Sequence, residues 1–423
     1  MKHTKTILDN GVRVITAPMD GNPTVTVMVT VGTGSYHEEP QESGLSHFLE
    51  HMCFKGTTRR PTSLSITTEL DGMGAIYNAF TSNEITGYYA KADAKHFERI
   101  GDIVADIYQN SVFPEGEIER EKGVVLGEID MYADEPQEKI SDALREHMYK
   151  GQSASRAVLG TKETVRAITR ADLMRYRDMQ YRPHNTLVTI AGGVEEAEAL
   201  AFARKTFGSM LSGDSRPEFA TADRDQHGPE TVFVEKDTDQ AHMILAWRTF
   251  DRSHRERFAA RIANGILRGG MSSRLFIKLR DEMGSGYYIS SGHDTYRTFG
   301  QFHISTGTTA ERVAEIAGAI IAETRRLQTE AVPGDELEKI RSLIRSRVRM
   351  SLETSDGVAD FFADQEMFDD AVRSPEELDA ILSSVTAEDV MAVARTIFDS
   401  SKLTFAVIGK GIDRDAVSKV IGA

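Results

Sequence analysis

Within residues 44–57, GLSHFLEHMCFKGT, the side chains of His47, Glu50 and His51 stand in the order H-x-x-E-H. On a helix the two histidines are one turn apart, so both imidazoles leave one face, about 5–6 Å from each other at Cβ. That separation suits two nitrogens on one Zn²⁺, each ~2.0–2.1 Å from the ion. Glu50 reaches the edge of the same site, where a carboxylate can take a proton from metal-acidified water and pass it to a departing amine. A lone histidine on an apolar helix is more often a hydrogen-bonded core residue. Two at this spacing, with an acid between them, favour a metal pair. Cys53 lies two residues past His51, so a helix turns it away from that face, and it reads as a small buried hydrophobe.

A third ligand has to come from another segment. Pro114 suits the first turn of a helix, and Ile118, Val124, Val125, Ile129 and Tyr132 follow as its expected buried stripe. Glu121 and Glu128 are two turns apart on that helix and share a face. Glu128 flanks the apolar stripe, where a carboxylate needs a partner, so it is the expected third ligand. Glu121 is the expected supporting acid that orients a histidine or the water, whereas Glu117 and Glu119 read as solvated. Gly123 and Gly127 each cost on the order of 1 kcal/mol against alanine inside a helix, and predict close packing against another helix.

The elements that must position these groups are legible in turn. Two strand-like runs between residues 5 and 18 flank Asp9-Asn10-Gly11, a hairpin signal. Residues 24–31 alternate as a strand, and Ser43 is the expected N-cap of the motif helix. A helix over about 62–72 precedes strand-like runs at 75–80 and 85–92, then an amphipathic helix over 94–110. Helices over 136–149 and 170–181, a strand over 186–191 and a helix over 195–207 complete a first domain, 1–212. Residues 213–230 lose apolar periodicity and read as a linker, followed by a second domain, 231–423.

The second domain repeats the first. ITRADLM (168–174) matches VTAEDVM (385–391), an offset of 385 − 168 = 217, and each places a threonine cap (Thr169, Thr386) three residues before an aspartate. TLVTIAGGV is echoed by KLTFAVIGKG with Gly192 and Gly409 also 217 apart, and Pro114 matches Pro333 at 219. A repeat of that length is a duplicated domain rather than a solenoid. Carried across at 219, His47, Glu50, His51 and Glu128 fall on Ile266, Gly269, Gly270 and Arg347. Only the first copy is equipped for metal.

The 423 residues, 40% hydrophobic and 27% charged, fit a multidomain globular protein. A single cysteine excludes an internal disulfide framework. The start, MKHTKTILDNGVRVI, has no apolar leader, and no apolar run approaches the ~18 residues a membrane span needs. The expectation is a cytoplasmic protein with no membrane contact. A net charge of −15 argues against nucleic-acid partners and is compatible with cationic peptides.

On these residues the chain resembles the pitrilysin/insulinase-type zinc endopeptidases, in the short two-domain form similar to the β-subunit of mitochondrial processing peptidase. The third ligand of that family is a downstream glutamate preceded seven residues earlier by another, which matches Glu128 and Glu121 (128 − 121 = 7). GAIYNAFTSNEITGYYA resembles the family's substrate-pairing edge strand, which implies peptide contacts at Asn78, Ala79 and Phe80 by β-augmentation. GGMSSRLFIKLRDEMGSGYY resembles the segment whose arginine and tyrosine stabilise the oxyanion, here Arg280 and Tyr287. Arg268 and Ser285-Gly286 depart from the family pattern around it.

The resemblance implies an α+β fold of two homologous sandwiches, each a mostly antiparallel sheet with helices on one face, forming half of a clamshell. It further implies a zinc metalloendopeptidase acting on unfolded peptides or small precursors inside a dimeric chamber, paired with itself or a related chain. The competing expectation is a non-catalytic peptide-binding or assembly subunit. Such subunits usually lose zinc residues, whereas here the set is complete.

Overall fold

The computed structural model describes residues 2–216, 222 and 226–422. Of the expected linker, residues 217–221 and 223–225 lie outside the described residues. Six strands, β1 (Thr4–Ile7), β2 (Arg13–Pro18), β3 (Thr24–Val31), β4 (Ile76–Thr81), β5 (Thr86–Asp93) and β6 (Thr186–Gly192), form one sheet in the order β1-β2-β6-β3-β5-β4. Five more, β7 (Glu230–Glu235), β8 (Ala241–Thr249), β9 (Ile289–Thr295), β10 (Gly300–Thr308) and β11 (Leu403–Gly409), form a second in the order β7-β11-β8-β10-β9. Among the described residues, only β2–β6 and β7–β11 pair in parallel. From β2 and β7 onward the two sheets match strand for strand, as a duplication requires.

Helices α1 (Leu45–Cys53), α2 (Ser63–Asp71), α3 (Phe97–Asn110), α4 (Glu115–Asp134), α5 (Pro136–Met148), α6 (Lys162–Ala167), α7 (Arg170–Gln180) and α8 (Glu196–Phe207) belong to the first half of the sequence. The second half carries α9 (Arg257–Arg268), α10 (Arg274–Phe276), α11 (Val313–Thr329), α12 (Gly334–Ser351), α13 (Ser355–Phe368), α14 (Pro375–Ser384), α15 (Ala387–Ile397) and α16 (Arg414–Ile421). Thr169 and Thr386 cap α7 and α15 with the threonine–aspartate boxes expected from the repeat.

The two compact units are not contiguous in sequence. The first comprises Met1–Met131, Arg156–Phe219 and Arg349–Ser374, and the second Tyr132–Ser155, Ala220–Val348 and Pro375–Ala423. Each half therefore lends one helix to the other unit, α13 to the first and α5 to the second. A division at 213–230 does not describe these two segments. The reason lies in the sheets. In β3, Val25, Val27, Val29 and Val31 point into a core shared with Phe48 and Leu49 of α1 and Ile100 and Ile103 of α3. The alternate residues Thr26 and Thr30 face the other way and are also buried, so that side needs cover as well. There α13 lies, its Ser355 hydroxyl 3.1 and 2.8 Å from those of Thr24 and Thr26, and its Asp356 2.6 Å from Lys91. In the second unit Met243, Leu245 and Trp247 of β8 face the helical core, while Arg248 donates to the carbonyl of Met148 at the end of α5. The helical layer thus covers one face of each sheet, as expected, and among the described residues one exchanged helix lies against the other face.

The loop that follows α1 is tied to α3 through Asp106, whose side chain is fully buried. Its carboxylate accepts from Thr57 Oγ1 (2.7 Å), Arg59 Nε (3.0 Å), Arg60 Nη1 (2.8 Å) and Asn110 Nδ2 (2.9 Å). Burial pushes its pKa up, but these donors outweigh it and hold the group below its ordinary value. A depressed carboxylate contributes stability above its unfolded pKa of ~3.9, and that contribution is lost as pH falls through the folded value. Asp106→Ala should cost about 3 kcal/mol, lowering the melting temperature by roughly 6–12 °C. In thermal melts across acid pH, Asp106→Asn should show a flatter dependence below pH ~4 than the unaltered protein. An unchanged melting temperature in Asp106→Ala would remove this cluster from the stability argument.

Candidate metal centre

α1 divides its residues between core and site by helical angle. Leu45, Phe48, Leu49, Met52 and Cys53 are at most 1% exposed and join the first core, which leaves His47, Glu50 and His51 on the opposite face. Cys53 is a buried free thiol, and burial pushes it up to about 11, so it behaves as the apolar residue it was expected to be. The helix does not start on Ser43. Its N-cap is Gly44, at φ 90° and without a side-chain cap. An added Cβ there would lie 2.6 Å from the carbonyl of Leu159. The orphan N–H groups go instead to Glu38, whose carboxylate accepts from Gly44 N (2.8 Å) and Ser46 N (2.6 Å). Burial pushes Glu38 up to about 7 despite these donors.

Three ligand atoms converge in front of that face. One atom each from His47, His51 and Glu128 lies within 4.8 Å of the others. His47 Nε2 is 3.2 Å from His51 Nε2 and 3.8 Å from Glu128 Oε2. Two nitrogens ~2.0–2.1 Å from one tetrahedral ion are separated by about that imidazole spacing. His51 Nδ1 donates to Glu121 Oε1 at 2.8 Å, because a carboxylate can only accept, and this leaves the Nε2 lone pair facing the site. His47 Nδ1 is buried without a hydrogen-bond partner among the described residues, so no neighbour fixes its tautomer. Burial pulls His47 down to about 4, so it is neutral at neutral pH, the form in which an imidazole can bind a metal. For His51 burial pulls the same way, but the Glu121 hydrogen bond and the charges of Glu50, Glu121 and Glu128 raise it above its ordinary value. The donor set, two imidazoles and a carboxylate, fits a divalent ion of borderline softness.

Two further contacts hold the acids. Glu121 is buried and also pairs with Lys55 Nζ at 2.6 Å. Burial raises its pKa, but the His51 and Lys55 contacts prevail and keep it ionised below its ordinary value. Glu50 Oε2 accepts from Thr81 Oγ1 at 2.6 Å, at the end of β4. Burial first, and then the charge of Glu128, push Glu50 up, opposed by Thr81 and His51.

α4 departs from its expected packing. Ile118, Glu121 and Val125 are buried, but Val124 is 55% and Tyr132 36% exposed. The buried side of α4 is thus narrower than the periodicity suggested, because Val124 and Glu121 are three apart and a short helical step separates them across its edge. Nothing lies within 4 Å of a Cβ added at Gly123 or Gly127, so neither glycine is there for close helix packing.

The remaining candidates fall in two places. In the first unit β4 is an edge strand paired with β5. Ala79 packs against the core while Asn78 is exposed, its Oδ1 accepting from Ala79 N at 2.9 Å. Phe80 lies over Gly87, where an added Cβ would meet its ring at 2.3 Å. In the second unit Arg280 sits 5.6 Å over the Phe276 ring, and Tyr287 is 64% exposed with its N–H donating to Gly307 O. Arg268 Nε donates to Ile289 O at 2.5 Å, and Ser285 Oγ is 2.8 Å from Thr308 Oγ1. The counterparts of the metal positions also meet in that unit, since Arg347 Nη2 donates to Gly269 O at 2.8 Å. A fixed cation on the helix matching α4 stands where the first copy places Glu128.

Glu38, Lys55 and Thr81 escaped the reading of the sequence. An acid a few residues before a helix was a usable signal for Glu38. The other two act across the fold and leave none. No helix among the described residues is long and apolar enough to cross a membrane.

The comparisons with known proteins agree along the chain. Residues 13–162 match the family model described as insulinase, peptidase family M16, and residues 167–344 match the M16 inactive domain. A Bacillus subtilis protein named an uncharacterized zinc protease is 32% identical over 397 residues, covering 92% of this chain and 94% of its own. One from Rickettsia bellii, named likewise, is 32% identical over 407 residues, covering 95% and 96%. The crystal structure of a protease from Helicobacter pylori shares the fold with a TM-score of 0.92 at 22% identity, covering 96% of this chain and 99% of that one. The family models over residues 13–162 and 167–344, and a relative 32% identical over 92% of this chain, together with a duplicated fold whose first copy holds a group that could bind a metal, place the chain in peptidase family M16, the insulinase family.

Proposed function

We propose that the protein is a zinc-dependent endopeptidase in which His47, His51 and Glu128 hold the ion and Glu50 serves as general base and then general acid. The observation that carries this is the convergence of those three ligand atoms within 4.8 Å, with Glu50 on the same helical face. A bound zinc supplies Lewis acidity, polarising a peptide carbonyl and acidifying water. Glu50 does the proton work. Its Oε2 is taken by Thr81, so Oε1 is the atom that receives the proton from water and returns it to the leaving nitrogen. Burial that raises a carboxylate's pKa brings it nearer neutrality, which suits both halves of that task. Glu121 holds the tautomer of His51. The free side of β4 offers main-chain groups to an extended peptide, and Asn78, Ala79 and Phe80 contact it there. Unfolded peptides are the substrate class, and the working form is a dimer with itself or a related chain, with Arg280 and Tyr287 as oxyanion donors, on the resemblance given above.

The central experiment is Glu50→Gln. It should retain zinc by metal analysis yet cleave a fluorogenic peptide about 10²–10⁴-fold more slowly, and undiminished turnover would refute the base assignment. Zinc affinity, measured by competition with a chromophoric chelator, should weaken about 10–100-fold in Glu121→Gln. It should also fall with pH first through the raised range of His51, where the metal must displace a proton, and only in strong acid through His47 near 4.

A further inference from the structure

Thr81 is the last residue of β4, and its side chain lies on the strand face that Tyr77 and Ala79 turn toward the first core. From there its hydroxyl donates to Glu50 Oε2 at 2.6 Å. The terminal torsion of a glutamate is broad and two-fold, so an unheld carboxylate beside His51 would turn toward that imidazole, whose charge already attracts it. The hydroxyl fixes one oxygen and leaves the other presented.

The strand end that supplies this hydroxyl is itself clamped. Ser35 N donates to Ser82 O (3.3 Å), Tyr36 N to Asn83 O (2.9 Å) and Asn83 Nδ2 to Ser35 Oγ (3.0 Å). A Cβ at Gly34 would fall 2.2 Å from Ser82 O, so the two segments touch backbone to backbone. The same segment runs on to Glu38, which holds the N-terminus of α1. α1 and the end of β4 are therefore tied at two points, by Glu38 below the helix and by Thr81 at Glu50.

We infer that Thr81 is a positioning residue, whose hydroxyl orients the Glu50 carboxylate so that the strand that aligns the peptide also aims the base. This rests on the peptidase reading above. A peptide paired along β4 takes its register from the strand's main chain, and the base takes its aim from the strand's last side chain. Substrate alignment and base orientation then share one rigid element, which is where a small misplacement is most costly.

The test compares Thr81→Val, which keeps the shape and loses the hydroxyl, with Thr81→Ser, which keeps the hydroxyl. Steady-state cleavage of a fluorogenic peptide would be read beside zinc content, and beside equilibrium binding of the same peptide in a Glu50→Gln background by fluorescence anisotropy. Thr81→Val should lose about ten- to hundredfold in kcat with KM, zinc content and peptide affinity unmoved, and Thr81→Ser should restore most of the loss. Unchanged kcat in Thr81→Val, a loss that serine does not restore, or a parallel loss of zinc or peptide affinity would overturn the inference. Wild-type protein that cleaves no peptide would instead overturn the peptidase reading, and this inference with it.

Discussion

A single hydrogen bond, 2.8 Å from His51 Nδ1 to Glu121 Oε1, sets the polarity of the whole centre. A carboxylate has no proton to give, so the imidazole must donate from Nδ1 and present Nε2. Once that nitrogen is aimed, His47 on the preceding turn and Glu128 two turns beyond Glu121 complete a group that could hold one metal ion. The bond is strong because Glu121 is buried and ionised, and it stays ionised because Lys55 pairs its second oxygen at 2.6 Å. Removing any one of these leaves a charge or a donor without a partner in a place water does not reach freely.

Such an arrangement needs two helices held at fixed angle and height, and the fold supplies this from both ends of α1. The buried faces of α1 and α4 share one core, Phe48 and Leu49 from the first and Ile118 and Val125 from the second. At the helix start Glu38 replaces the usual capping side chain, and at its exposed face Thr81 engages Glu50. Three carboxylates thus lie close to one short helix, each with its own donor. Their individual partners, rather than the net charge of the region, decide which is protonated and which is held ionised.

Among the described residues, the group that could hold a metal lies in the first copy of the duplicated scaffold. The second copy repeats the strand order and the capped helix α15, but its counterpart of Glu128 is Arg347, bonded to the backbone at Gly269. A fixed guanidinium and a carbonyl satisfy each other without an ion. Each copy also completes the other's unit by lending a helix, since the reverse sides of the central strands are buried too, with Thr26 and Thr30 in the first sheet and Ile244 and Ala246 in the second.

What could be read from residues alone was whatever local periodicity encodes. The histidine pair, the glutamate seven residues from its neighbour, the threonine caps and the strand alternation all follow from 3.6- and 2-residue repeats. Partners across the fold were another matter. Val124 matched the helical stripe of α4 yet is exposed, Gly123 and Gly127 face open space, and Ser43 yields its capping role to Glu38. The choice of α13 to cover the first sheet, and of Thr81 to hold Glu50, joins residues 329 and 31 positions apart. Sequence determined which groups are available and which face each occupies on its own element. Tertiary structure decided which groups meet, because hydrogen bonds and burial depend on distances in space that chain periodicity does not carry.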